Sequence, residues 1–167
     1  MLRPNAKMSL LVALAVLIGG GPAHAVAPIV QDRAKCFSSD AVKKANEQLR
    51  ELYVKHDKDL FIETHETVPA DQIEKVKTMS REERLKFFED WAKSRIQQRA
   101  VNGVYVLICK EPTILFVEVS PKARSAFDGA ARTKLRDQLI EDFRDKHYDE
   151  GLANAVKLAR EKLAGPK

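Results

Sequence analysis

Apolar positions recur along this chain with two different periods, and each change of period marks an element. Two apolar runs stand out, Val104–Cys109 and Ile114–Val119. The first is continuous and rich in β-branched residues and reads as a strand covered on both faces, although periodicity alone does not separate it from a buried helix segment. Asn102-Gly103 punctuates the start of the first run, and Lys110-Glu111-Pro112-Thr113 separates the two. A short polar break with a proline, which cannot donate to a ladder, predicts a hairpin of antiparallel neighbours.

Elsewhere the period is helical. Val42, Ala45, Leu49, Leu52 and Tyr53 make one apolar face of a helix that starts after Ser38-Ser39, either of which can cap it, and ends at His56-Asp57-Lys58-Asp59. Leu60-Phe61-Ile62 then opens a strand that runs to about Val68 and turns polar at Glu63, Thr64, His65 and Glu66. Pro69 suits the first position of a short helix over Ala70–Val76. Ser80-Arg81-Glu82-Glu83 has the form of a capping box, and Leu85, Phe88, Ala92 and Ile96 line the helix it opens, with Trp91 beside them. Two amphipathic helices follow the hairpin, one carrying Leu135, Leu139, Ile140 and Phe143, the other Leu152, Ala155, Val156, Ala159 and Leu163.

The predicted order is α-β-α-α-β-β-α-α. Strands joined through helices pair in parallel by a right-handed crossover, and the hairpin adds an antiparallel neighbour. The fold class this predicts is α/β, a three-layer α/β/α sandwich with a small mixed sheet and helices on both faces.

The N-terminus changes the compartment. Arg3 and Lys7 precede an apolar run from Leu10 to Ile18, and Ala23-His24-Ala25 has the form of a small-residue cleavage site. Residues 1–25 read as a secretory signal peptide, leaving residues 26–167 as one exported domain, periplasmic, lumenal or secreted. The apolar run is shorter than the roughly 20 residues of a membrane-spanning helix, and a retained anchor is the alternative reading. Loss of Arg3 and Lys7 lowers the formal charge from +5 to +3. Runs such as Arg81-Glu82-Glu83-Arg84 mix signs in the manner of solvated helix faces, which argues against a nucleic-acid partner despite the basic pI.

Several chemistries find no signature: there is no glycine-rich phosphate loop, no nucleophile elbow and no cysteine followed by arginine at phosphatase spacing. Asp57-Lys58-Asp59 has the form of a paired-aspartate phosphatase motif but precedes a strand rather than following one. His56, His65 and His147 lack metal-ligand spacing. Cys36 and Cys109, both placed by the topology at the C-terminal edge of the parallel strands, are expected to form a disulfide in an exported chain, with buried free thiols as the alternative. Asp32, Glu66 and Glu111 are expected at the same edge, where carboxylates either hold a divalent cation such as calcium or magnesium or form a solvated rim.

A set of positions spread over Asp32–Leu163 carries a family resemblance. They are Asp32-Arg33-Ala34 up to Phe37-Ser38, Trp91 before the central strand, Asn102-Gly103-Val104 at its start, Val117-Glu118-Val119 ending the next, Asp128 downstream, and Phe143 with Tyr148-Asp149 and Gly151 before the last helix. In these the chain resembles the TPM-domain family, which includes a thylakoid-lumen acid phosphatase, a photosystem II repair protein and a membrane-tethered modulator of acetylcholine receptors. Members commonly carry arginine and glycine where this chain has Thr113 and Ser120. The resemblance implies an α/β/α sandwich and adds Asp128 to Asp32 and Glu111 as a metal-ligand set. It leaves two functions open. One is a non-enzymatic binding module that assists assembly, repair or modulation of membrane protein complexes through a protein partner near a membrane. The other is a metal-dependent phosphatase of the exported compartment. The loss of an arginine, a natural phosphate partner, favours binding.

Overall fold

The structure is a computed structural model and describes residues 30–165. The segment read as a signal peptide, residues 1–25, lies outside them. The elements are β1 (Val30–Asp32), α1 (Ser39–His56), β2 (Asp59–Thr67), α2 (Ile73–Thr78), α3 (Arg81–Arg99), β3 (Gly103–Glu111), β4 (Ile114–Val119), α4 (Gly129–Arg144) and α5 (Tyr148–Leu163). Single 3-10 turns at Ala70–Gln72 and Pro121–Ala123 precede α2 and α4.

The four strands lie in the order β1-β2-β3-β4. β1, β2 and β3 are parallel, and β4 returns antiparallel to β3. The α/β sandwich and the hairpin are as the sequence predicts. β1 is an addition. It has three residues, too few to show a period, yet it pairs Val30 with Ile62 and Asp32 with Thr64, so Asp32 ends a strand instead of standing in a loop.

The pleat sorts the core. Phe61, Glu63 and His65 share a face with Tyr105, Leu107 and Cys109, and α3 covers it through Phe88, Ala92 and Ile96. Leu60, Ile62 and Thr64 share the opposite face with Val104, Val106 and Ile108, and α1, α4 and α5 pack on that side. Every residue from Val104 to Leu107 is fully buried, because β3 is central and covered on both faces.

Local chemistry sets the boundaries. The Ser38 hydroxyl accepts from Ala41 N–H and caps α1. Ser80 and Glu83 complete the capping box of α3, a device of about 1 kcal/mol. The turn between α1 and β2 is tied to the start of β3. Asn102 Nδ2 donates to the Asp57 carbonyl at 2.6 Å, and Asn102 N–H donates to the Asp59 carboxylate at 2.8 Å. Gly103 follows because a Cβ there would sit 1.8 Å from the Asp59 carbonyl oxygen. Asp57-Lys58-Asp59, which has the form of a phosphatase motif in sequence, therefore serves as a clamp between two strand starts.

Candidate functional site

The C-terminal edge of the parallel strands is where open α/β sheets place ligands. Asp32 stands there, with its oxygens engaged by the protein. Oδ1 accepts from Cys36 N–H at 2.9 Å and from the Thr64 hydroxyl at 2.6 Å, and Oδ2 accepts from Phe37 N–H at 2.9 Å. Thr64 in turn accepts from Ala34 N–H. The carboxylate folds the β1–α1 loop over the sheet edge. Glu66 bonds Lys110 Nζ at 3.0 Å, and Lys110 also donates to the Ala34 carbonyl. Glu111 is exposed at the end of β3.

Asp128 is at the other end of the molecule. It caps α4 by accepting from Ala131 N–H at 2.8 Å, and α4 begins beyond the end of β4, beside the start of β3. The structure thus brings Asp32 and Glu111 to one edge and Asp128 to the opposite one. Among the described residues, no three His, Cys, Asp or Glu side chains converge as metal donors.

Cys36 and Cys109 reach the same edge, as expected, and both are free thiols. They are not bonded to each other in the structure, and both line the same cleft. Cys109 stands opposite His65 on the α3 face, whereas Cys36 lies with Thr64 and Lys110 of the other face. A disulfide needs β-carbons about 4 Å apart. Burial pushes the Cys109 thiol up to about 11, and burial with the neighbouring Asp32 charge raises Cys36. Neither is an activated nucleophile.

What the edge does present is a cleft of about 760 Å³ between the β3–β4 hairpin and the α4–α5 corner. Ile108, Leu115, Ile140 and Phe143 supply apolar surface, and Lys35, Lys110 and Arg144 stand around it. Among the described residues no carboxylate lines it. Phe143 and Tyr148 of the lining and Phe37 form a chain of ring contacts, at 6.0 Å and 5.2 Å between centroids. Asp32, Glu66 and Glu111 do stand at this edge, as expected, and the cleft beside them is lined with cations and hydrocarbon.

The sequence reading missed a second cluster. Glu63 is fully buried beneath α3, although it reads as part of a polar strand end. Both its oxygens bond Arg95, Oε2 also accepts from Tyr105 Oη at 2.6 Å, and Arg99 lies 3.4 Å from Oε1. Gln31 of β1 accepts from both Arg33 and Arg99 at 3.1 Å. Burial pushes the Glu63 carboxyl up, but His65, Arg95 and Tyr105 outweigh it and hold the group well below the usual carboxylate range. The only sequence signal was the spacing of Arg95 and Arg99, which places both on one helix face.

The sequence profile of the TPM domain matches residues 30–162. The chain belongs to the TPM-domain family. Its solved neighbours agree in fold. The N-terminal domain of a Porphyromonas gingivalis protein, determined by NMR, superposes with a TM-score of 0.61 at 16% identity, covering 82% of this chain and 85% of that one. The N-terminal domain of a Corynebacterium glutamicum protein gives 0.57 at 10% identity, with coverage of 95% and 91%. The BA42 protein of Bizionia argentinensis gives 0.52 at 12% identity, with 77% and 81%. No match is found among curated proteins.

The positions that carry the TPM resemblance have structural roles here. Asp32 holds the β1–α1 loop, Asn102-Gly103 clamps the strand starts, and Asp149 accepts from Ser38 N–H at 2.8 Å. Gly151 lets α5 approach α4, since a Cβ there would lie 3.0 Å from Asp142 Cβ and from the Phe143 ring. Trp91 packs against His65, ring centroids 4.7 Å apart. Thr113, in place of the common arginine, donates to the Lys110 carbonyl and closes the hairpin at the cleft. Ser120, in place of the glycine, is buried, and its hydroxyl finds no hydrogen-bond partner among the described residues.

Proposed function

We propose that this TPM-domain protein is an exported, non-enzymatic binding module that engages a protein partner of a membrane complex through the cleft at the C-terminal edge of its sheet. The observation that carries the reading is the cleft: apolar in its walls, ringed by Lys35, Arg144 and the Glu66-paired Lys110, and lined by no carboxylate among the described residues. A surface of that kind recognises an apolar group bearing negative charge. The chemistry of the neighbouring groups supports binding over turnover. Both thiols are held protonated, and the Asp32 carboxylate is already occupied by three protein donors. Export rests on the charged start, apolar run and small-residue site of residues 1–25, and the membrane-complex setting on the TPM resemblance.

Phosphomonoester hydrolysis measured with magnesium, manganese and calcium over a range of pH tests the reading. The expected outcome is no metal-dependent turnover, with the melting temperature unmoved by millimolar calcium. Turnover that disappears in Asp32→Ala and Asp128→Ala establishes the phosphatase instead. Stabilisation by calcium that disappears in the same variants establishes a metal site.

A further inference from the structure

The composition of the cleft specifies its occupant. Lys35, Lys110 and Arg144 come from three separate elements, so the positive charge belongs to the cleft and not to one helix face. Lys35 makes no ion pair among the described residues, and the Arg144 contact is an exposed one to its own neighbour Asp145 at 3.6 Å, a kind worth little. Between the cations Ile140 is 47% exposed, an isoleucine turned into the cleft from a helix whose buried face is already complete.

One residue lining the cleft, Leu115, belongs to the edge strand of the sheet. Among the described residues β4 is the last strand of the sheet, so one side of its backbone has no strand partner there. Ser120 N–H donates to the carbonyl of Gly103, its direct partner in the register that pairs Val119 with Val104. Antiparallel pairs alternate between bonded and non-bonded. Ile114, Phe116 and Glu118 therefore bond toward β3, and the amide and carbonyl of Leu115 face away from it. Val117 and Val119 face the same way but are buried, whereas Leu115 is only partly buried and lines the cleft.

We infer that the cleft binds an extended acidic peptide segment of its partner. An apolar side chain fills the floor between Ile108 and Ile140, flanking carboxylates meet Lys35 and Arg144, and the peptide backbone pairs with Leu115. A fatty acid or anionic lipid matches the charge and the floor but has no amide for Leu115, which is why a peptide is the better occupant. This inference rests on the binding-module reading and names the chemistry of its partner.

The test is fluorescence anisotropy of the protein with a labelled, end-blocked Glu-Leu-Glu-Leu-Glu-Leu-Glu peptide. Saturable binding is expected, weakened by added salt. Ile140→Asp and Arg144→Gln, both at exposed positions, each weaken it by about tenfold or more, the loss of one good contact. Val54→Asp, 75% exposed near the far end of α1, binds as wild type. The same peptide N-methylated at its central leucine binds weakly, and its lysine-for-glutamate counterpart does not bind. Absence of binding by the acidic peptide, or binding indifferent to Ile140→Asp, overturns the inference. So does sedimentation with phosphatidylglycerol vesicles that the peptide fails to reduce. Ile140-dependent binding of the lysine peptide overturns the acidic partner while leaving the binding module intact; only metal-dependent turnover removes the module itself.

Discussion

The carboxylate of Asp149, in the first turn of α5, accepts a hydrogen bond from the backbone N–H of Ser38, the N-cap of α1, 111 residues earlier. One bond thus ties the start of the first helix to the start of the last, beside the cleft. Ser38 lowers the Asp149 pKa through its side chain and its N–H. A lowered carboxylate contributes stability that is present above the unfolded value of about 3.9 and is lost as pH falls through the lower folded value. Asp149→Ala is expected to cost about 1 kcal/mol near neutral pH. Chemical denaturation of both proteins checks this, and the difference should shrink below pH 4.

Glu63 and Arg95 should behave as a unit. Removing one partner of a buried, hydrogen-bonded pair leaves the other uncompensated, at roughly 3–5 kcal/mol. Glu63→Gln and Arg95→Met are each expected to destabilise on that scale. The Glu63 pKa is lowered, so its contribution is complete above about pH 5 and is lost as pH falls below the unfolded value of about 4.3. Glu63→Leu combined with Arg95→Met should cost less than the sum of the single changes, and a double-mutant cycle by urea denaturation measures the difference.

Gly103→Ala should prevent folding. The new methyl group would meet the Asp59 carbonyl oxygen at 1.8 Å, where the contact is backbone and no side chain can swing aside. A loss above about 4 kcal/mol is expected, seen as insoluble protein or absence of a cooperative melt. Gly129→Ala, with open space around the position, should melt close to wild type and serves as the control.

The thiols should titrate separately. Under denaturing, non-reducing conditions two free thiols per chain are expected, because Cys36, in the β1–α1 loop, lies beside Thr64 and Lys110 while Cys109 is buried on the α3 face of β3. In the native state Cys109 should be silent to a thiol reagent at pH 8, being 1% exposed with its pKa pushed up to about 11. A mass shorter by two hydrogens in protein recovered from an oxidising compartment would refute the separation.

Asp32→Ala should loosen the β1–α1 loop, since it removes three hydrogen bonds at once and strands the amides of Cys36 and Phe37. A loss of roughly 2–3 kcal/mol is expected near neutral pH. Amide hydrogen exchange should locate the change at Ala34–Phe37, and little of it around Asp128.

The long elements were legible from their residues. Val104–Cys109 could only be a covered strand once the flanking helices were placed, and Ser80 with Glu83 marked the start of α3 without any tertiary information. What escaped the pattern was whatever depends on a partner distant in sequence. β1 is three residues long and becomes a strand only because β2 offers it a free edge. Glu63 and Thr64 look like the polar end of a strand, yet both are fully buried, Glu63 against Arg95 and Tyr105, Thr64 against Asp32.

Local pattern by itself determined the fold class, the hairpin, the helix starts and the arrival of Asp32, Cys36, Cys109 and Glu111 at one edge of the sheet. These follow from period, capping chemistry and the rule that parallel strands need a crossover, all of which act over a few residues or on chain order alone. Only the tertiary structure decided what that edge is for. Whether a carboxylate there is free or already holding backbone amides, and whether two thiols share a face or are divided by the pleat, depends on side-chain direction and register to within one residue. A one-residue step turns a side chain to the other face of a strand. That step puts Cys109 on the α3 face, and folding the β1–α1 loop around Asp32 occupies its carboxylate while lysine, arginine and isoleucine line the cleft beside it.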